Sequence, residues 1–200
     1  MKKLLALAAL ALPLLGGCAG TTVKRVDTAA VIDLSGRWND TDARLTAQEM
    51  VADCLSKPWL AQAEPDSASM EAPTVIVGTI RNNTSEHIDT GVITNALQAE
   101  LINSGKVRFV AGKNERGEIR EERLDQDTNA SEATRKAQGQ ELGADYMLTG
   151  SISSVEDKEG GKAVVLYQVD MKLVNMKTNQ IAWVGQKRIK KFIERSSTTW

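Results

Sequence analysis

Ala163-Val164-Val165-Leu166-Tyr167-Gln168-Val169-Asp170-Met171-Lys172-Leu173-Val174 alternates with a period of two. Val165, Tyr167, Val169, Met171 and Leu173 fall on one face, and Gln168, Asp170 and Lys172 on the other. Successive side chains of a strand point to opposite faces, so this is a long strand with one dry face. On its N-terminal side Glu159-Gly160-Gly161 reads as a turn leading back to a strand over Asp145 to Val155. On its C-terminal side Asn175 to Gln180 makes a second turn into a strand from Ile181 to about Phe192. The last third of the chain is thus an antiparallel meander whose apolar face needs a cover.

The cover comes from upstream. Asn39-Asp40-Thr41-Asp42 carries short polar caps and acids at the positive end of a helix dipole. The helix runs to about Ser56, with Ala47, Val51, Cys54 and Leu55 on one face, and Pro58 ends it. Glu64 to Pro73 is a polar loop, and Thr74-Val75-Ile76-Val77 is a buried strand. Arg81 to Ile88 forms a polar connection to a helix capped by Asp89 or Thr90. Its stripe is Ile93, Leu97 and Leu101, and it stops at Asn103-Ser104-Gly105. Val107 to Val110 follows as a strand, closing a parallel crossover. Asn114 to about Gln126 is a polar helix carrying only Ile119 and Leu124, and Ser131 starts another that ends near Leu142-Gly143. Residues 112–143 bury little, which predicts the lowest local stability there. The class is α/β in content and α+β in layering: a mixed β-sheet with helices packed mainly on one face.

The first residues are an address. Lys2 and Lys3 precede twelve apolar residues, Leu4 to Leu15. A helix of that length spans roughly 18 Å, too short for a bilayer core of about 30 Å, so it reads as a secretory signal. Leu15-Gly16-Gly17-Cys18 then offers small residues before a thiol, as a lipoprotein signal peptidase requires. Residues 1–17 are the signal peptide, Cys18 is the lipidation site, 18–30 a short linker and 31–195 one globular domain. Ala19 in place of an acid favours the outer membrane, with the domain facing the periplasm. Of the 25 Lys and Arg two leave with the signal, so 23 remain against 26 Asp and Glu, a net charge of −3. That balance gives no reason to expect nucleic acid as a partner.

No constellation supports catalysis. Ser35-Gly36 and Thr149-Gly150-Ser151 lack a nucleophile elbow, and Gly78, Gly91 and Gly105 lack phosphate-loop spacing. The sole histidine, His87, reads best as a solvated loop residue or local cap. Cys54, the second of two cysteines, reads as a small buried hydrophobe. Asp33, Asp40 and Asp42 suggest helix capping before cation binding. No metal site, cofactor or small-molecule substrate is indicated. Lys187, Arg188, Lys190 and Lys191 on the last strand suggest edge protection, or less strongly a patch for an anionic partner.

Four blocks carry a resemblance. Val31-Ile32-Asp33-Leu34-Ser35-Gly36-Arg37-Trp38-Asn39-Asp40-Thr41-Asp42 and Val77-Gly78-Thr79-Ile80-Arg81-Asn82-Asn83-Thr84-Ser85-Glu86-His87-Ile88-Asp89-Thr90 resemble LpoB-type lipoproteins. Leu142-Gly143-Ala144-Asp145-Tyr146-Met147-Leu148-Thr149-Gly150 and Val184-Gly185-Gln186-Lys187 fit as well. The resemblance implies a domain related to the N-terminal domain of TolB. It also implies an outer-membrane lipoprotein that activates a bifunctional penicillin-binding protein by docking on an accessory domain, not by catalysis. Candidate contacts are Arg37, Trp38, Arg81 and His87. Arg and aromatic side chains are common interface anchors, although Trp38 also reads as a lid over the sheet edge. The family's best-known member has a long disordered tether, whereas the twelve linker residues here reach about 40 Å. The alternative is a structural lipoprotein of an envelope export or assembly complex, which the lack of a spare region of barrel-length alternating strands disfavours.

Overall fold

The computed structural model describes residues 21–63, 72–134 and 141–194. Cys18 and most of the loop expected over Glu64 to Pro73 lie outside them. The elements are α1 (Asp40–Leu55), α2 (Trp59–Gln62), β1 (Thr74–Asn82), α3 (Thr90–Asn103), β2 (Arg108–Phe109), α4 (Lys113–Asn129), β3 (Tyr146–Glu159), β4 (Lys162–Asn175) and β5 (Ile181–Glu194). All belong to the unit that begins at Val31. The sheet runs β2-β1-β3-β4-β5, with β1 parallel to both β2 and β3 and the β3–β4–β5 meander antiparallel. This is the mixed-sheet α+β class expected from the alternation.

The alternation on β4 is realised residue by residue. Val165, Tyr167, Val169, Met171 and Leu173 are all buried. Against the Met171–Leu173 end of this inner face lie α1, through Met50, Val51 and Cys54, and α3, through Ile93, Leu97 and Leu101. Two glycines make the fit possible. Gly150 and Gly185 flank Met171 in register on the inner face. A Cβ on Gly150 would stand 2.4 Å from the Asp170 carbonyl oxygen, and one on Gly185 2.1 Å from Cζ2 of Trp183. The bare backbone at Gly185 lets the indole lie over β5, and its Nε1 donates to Asp53 Oδ2 of α1 at 2.9 Å.

Three local readings change. Arg81 and Asn82 belong to β1 rather than to the connection after it. Pairing with β3 shifts register between Val77 and Ile80 and then continues to Asn82 opposite Ile152. Pro58 ends α1 but also opens α2, at φ −59, because its fixed φ is preorganised for a helix start. Trp59 thereby enters the core, donating from Nε1 to the Cys54 carbonyl at 2.7 Å with its ring against Tyr146. The helix expected from Ser131 begins instead as a turn, the Thr134 N–H donating to Ser131 O, and residues 135–140 lie outside the described set. None of α4's side chains is buried.

Candidate functional site

Ahead of α1, residues 31–38 form an irregular strap. Irregular backbone carries polar groups that no helix or strand ladder satisfies, so its partners must come from side chains. Asn39 begins the arrangement with a reciprocal cap: its Oδ1 accepts from the Asp42 N–H at 3.1 Å, and Asp42 Oδ2 accepts from the Asn39 N–H at 3.0 Å. The same Asp42 oxygen lies 2.6 Å from Lys191 Nζ on β5. Lys191 also donates to Asp33 Oδ1 at 2.7 Å and to the Arg37 carbonyl at 3.0 Å. Only 10% of the Lys191 side chain is exposed. Burial works against its charge, but Asp33 and Asp42 outweigh that and hold the ammonium above the usual lysine range. The lysine in turn holds Asp33 below the usual carboxylate range.

A second junction lies beside the first. The Trp38 N–H donates to Tyr167 Oη at 3.1 Å and to Glu86 Oε2 at 3.3 Å. Tyr167 donates to the other oxygen of Glu86, and the Trp38 ring meets the tyrosine edge-on at 5.6 Å. Burial, and then the neighbouring Glu86 carboxylate, push the Tyr167 phenol well above its ordinary pKa. Glu86 itself is placed by a tight loop in which Asn82 Nδ2 donates to the Glu86 carbonyl at 2.8 Å, while Asn82 Oδ1 accepts from the Thr84 N–H at 3.0 Å. That loop turns Ser85 and His87 outward.

Strap, loop and the β3–β4 hairpin enclose a cleft of about 550 Å³. Arg37 and His87 face it from one side, and Glu156, Lys158, Glu159 and Lys162 from the other. Lys158 pairs with Glu156 at 2.7 Å, and Lys162 with Glu194 at 3.0 Å. Arg37 and His87 are exposed, with no side-chain partner among the described residues. The fold therefore brings two of the sequence-derived candidates, separated by fifty residues, to one concave surface. Trp38 lies just behind it, half-buried and packed against the core over Tyr167 of β4. Arg81 is exposed on β1, one residue past buried Ile80, and does not line the cleft.

Sequence reasoning found the β3–β4 hairpin but missed its place in the site, and with it the roles of Glu86 and Lys191. One signal was available: Lys187 and Lys191 share the inner-face parity of β5 with Trp183, and a cation on a dry face needs an anion. Lys187 indeed meets Glu49 of α1, and only Arg188 and Lys190 of the basic run point outward. Asp33 and Asp42 hold a lysine and a helix cap. Cys54 is buried, and burial pushes its thiol up to about 12. Among the described residues no cluster of three or more His, Cys, Asp or Glu could hold a metal, and no helix is long and apolar enough to cross a membrane. Chemically, the cleft offers exposed cations beside carboxylates.

Among solved structures the chain is similar to the LpoB C-terminal domain from Salmonella enterica, at 17% identity and TM-score 0.43, covering 75% of this chain and 99% of that one. It is also similar to Escherichia coli LpoB, at 18% identity and TM-score 0.41, covering 94% and 91%. A third is lipoprotein GNA1162 from Neisseria meningitidis, at 17% identity and TM-score 0.41, covering 63% and 88%. No curated protein matches the chain. Residues 42–189, nearly the whole of the folded unit, match the family described as peptidoglycan-synthase activator LpoB, and the chain belongs to that family.

Proposed function

We propose that this protein is a lipoprotein anchored through Cys18 in the outer membrane, with the domain facing the periplasm. It binds a bifunctional penicillin-binding protein on its accessory domain and raises the rate of peptidoglycan synthesis. It contributes a surface and no catalytic group. The family match over residues 42–189 carries this reading, since the family is one of activators and not of catalysts. The contact surface is the cleft, with Arg37 and His87 as the polar side chains left for a partner and Trp38 fixing the strap that presents Arg37. Arg81 is a further contact outside the cleft. Folded-domain binding through a preformed surface suits a linker of about twelve residues, which can reach about 40 Å. The partner's accessory domain must then extend toward the outer membrane.

The test uses the mature chain with purified bifunctional penicillin-binding proteins, measuring binding and glycosyltransferase rate together. Binding with rate enhancement is expected, weakened at least tenfold by Arg37→Ala with His87→Ala while the melting temperature holds. Loss of binding on Arg81→Ala alone would move the contact to the β1 end. Failure to bind or accelerate any such synthase, with a ring-sized species in light scattering, would sink the reading in favour of an assembly component.

A further inference from the structure

β5 closes one side of the sheet. It pairs with β4 along its length, and among the described residues no hydrogen bond from another segment reaches its other side. A free edge of fourteen residues is long, and proteins commonly blunt such edges with shortening, proline, bulges or inward-pointing charge. β5 has no proline, and its register shift falls near the Ile181 end, opposite Leu173 and Val174. Its inward cations, Lys187 and Lys191, are neutralised by Glu49, Asp33 and Asp42. Two of its four basic side chains are therefore spent inside the fold, and Arg188 and Lys190 remain as the edge's guard, a charge that repels a basic strand but not an acidic one.

What the edge shows outward is patterned. Val184, Gln186, Arg188, Lys190 and Phe192 share the outer face, opposite Lys172, Asp170, Gln168, Leu166 and Val164 of β4. Val184 is 61% exposed and Phe192 62%. Arg188 makes one hydrogen bond to Gln168, and Lys190 has no ion pair among the described residues. Two adjacent outward cations thus stand between two exposed apolar side chains. A second copy is a poor occupant: overlapping the basic run with itself in antiparallel register sets Arg188 against Lys190 twice, and like charges directly opposite destabilise a pair.

We propose that the free edge of β5 docks an extended segment of another protein bearing two acidic side chains two residues apart on one face. An apolar residue two positions beyond, on the same face, meets Phe192. Backbone hydrogen bonds supply affinity and the acid pair supplies selectivity, the mode of strand addition at a sheet edge. The surface lies on the outer face, whereas Arg37 and His87 serve the cleft, so either proposal can fail alone.

The probe is a capped, labelled peptide, Thr-Val-Thr-Glu-Thr-Glu-Thr-Val-Thr, whose pattern is the same in both directions. Titrated onto the mature chain, it should bind saturably and slow amide exchange across residues 186–192 at least tenfold. Arg188→Glu with Lys190→Glu should weaken binding at least tenfold, Arg188→Gln with Lys190→Gln several-fold, and Lys172→Glu on the same face but off the edge should leave it within twofold. N-methylation of alternate peptide residues should abolish binding. Binding that survives both N-methylation and charge reversal would overturn the proposal, as would no binding at millimolar peptide. A β5-mediated dimer in sedimentation without peptide would assign the edge to a second copy instead.

Discussion

The inner face of β4 passes under two different covers within ten residues. From Leu173 to Val169 it meets α1 and α3, and what touches it is aliphatic or aromatic: Leu97, Leu101, Val51, Trp183. From Tyr167 to Val165 it meets the strap, and polar groups join the Trp38 ring against it: the Trp38 amide, Glu86, and the Lys191 cluster next door. The strand obeys one alternation throughout. The cover decides the chemistry, because a helix satisfies its own backbone and a strap does not. The sheet beneath the strap must therefore carry the Tyr167 hydroxyl and the Lys191 ammonium, where the inner face of β4 beneath the helices carries only apolar side chains.

The contrast predicts a ranked set of losses. Leu97→Ala, at a site with no exposure, should cost about 3–4 kcal/mol in denaturant unfolding, a transfer and cavity loss. Lys191→Met should cost about 2–3 kcal/mol, chiefly because buried Asp42 loses its cation, while half-exposed Asp33 keeps its water. A Lys191→Met penalty equal to or above that of Leu97→Ala would break the distinction between the two ends. Tyr167→Phe should cost about 1–2 kcal/mol by removing one partner each from Glu86 and the Trp38 N–H.

The two ends should also separate by pH. Lys191 titrates above its unfolded value, so its contribution is complete at neutral pH and fades as pH rises through the folded pKa. Asp33 titrates below its unfolded value, so its share fades as pH falls through the folded pKa. The gap between wild type and Lys191→Met should then be widest near neutrality and shrink on both sides, while the Leu97→Ala gap stays nearly flat. A flat Lys191→Met profile would mean the cluster stabilises by packing alone. The smallest effect concerns Cys54, on the buried side of α1. With its thiol pushed up to about 12, it should react with a disulfide reagent at pH 8 only as fast as the domain unfolds. Rapid labelling of the native state would reveal a breach in the apolar end.

The apolar end was legible in the sequence because its signals are local. Period two on β4, the stripe Ile93–Leu97–Leu101 and the Asn39–Asp42 cap each sit within a few residues of their partners. The polar end was not, because its partners are distant along the chain. Tyr167 meets Glu86 across 81 residues and Trp38 across 129, and nothing in either neighbourhood announces the other. Arg37 and His87 could be named as candidates, but only the fold sets them on one cleft with the β3–β4 hairpin. The errors have physical sources too. Pro58 was read as a stop when it is also a start, and the polar look of Arg81 and Asn82 hid a strand whose parallel partner lies seventy residues on.

Asp42 caps α1 and also grips Lys191, and this double duty has a mechanical consequence. With Cys18 anchored as proposed, any load on the domain enters through the chain ahead of Val31. It meets the Asp33–Lys191 pair first, then the Arg37 carbonyl on the same ammonium, then the Trp38 amide on Tyr167 and Glu86, before any apolar core contact. Lys191 stands three residues from the end of β5 and pairs with Val165 of β4, so the pull is passed into the sheet rather than to the tip of one helix. The strap works as a strain relief, the part of a cable fitting that yields so that the junction behind it does not.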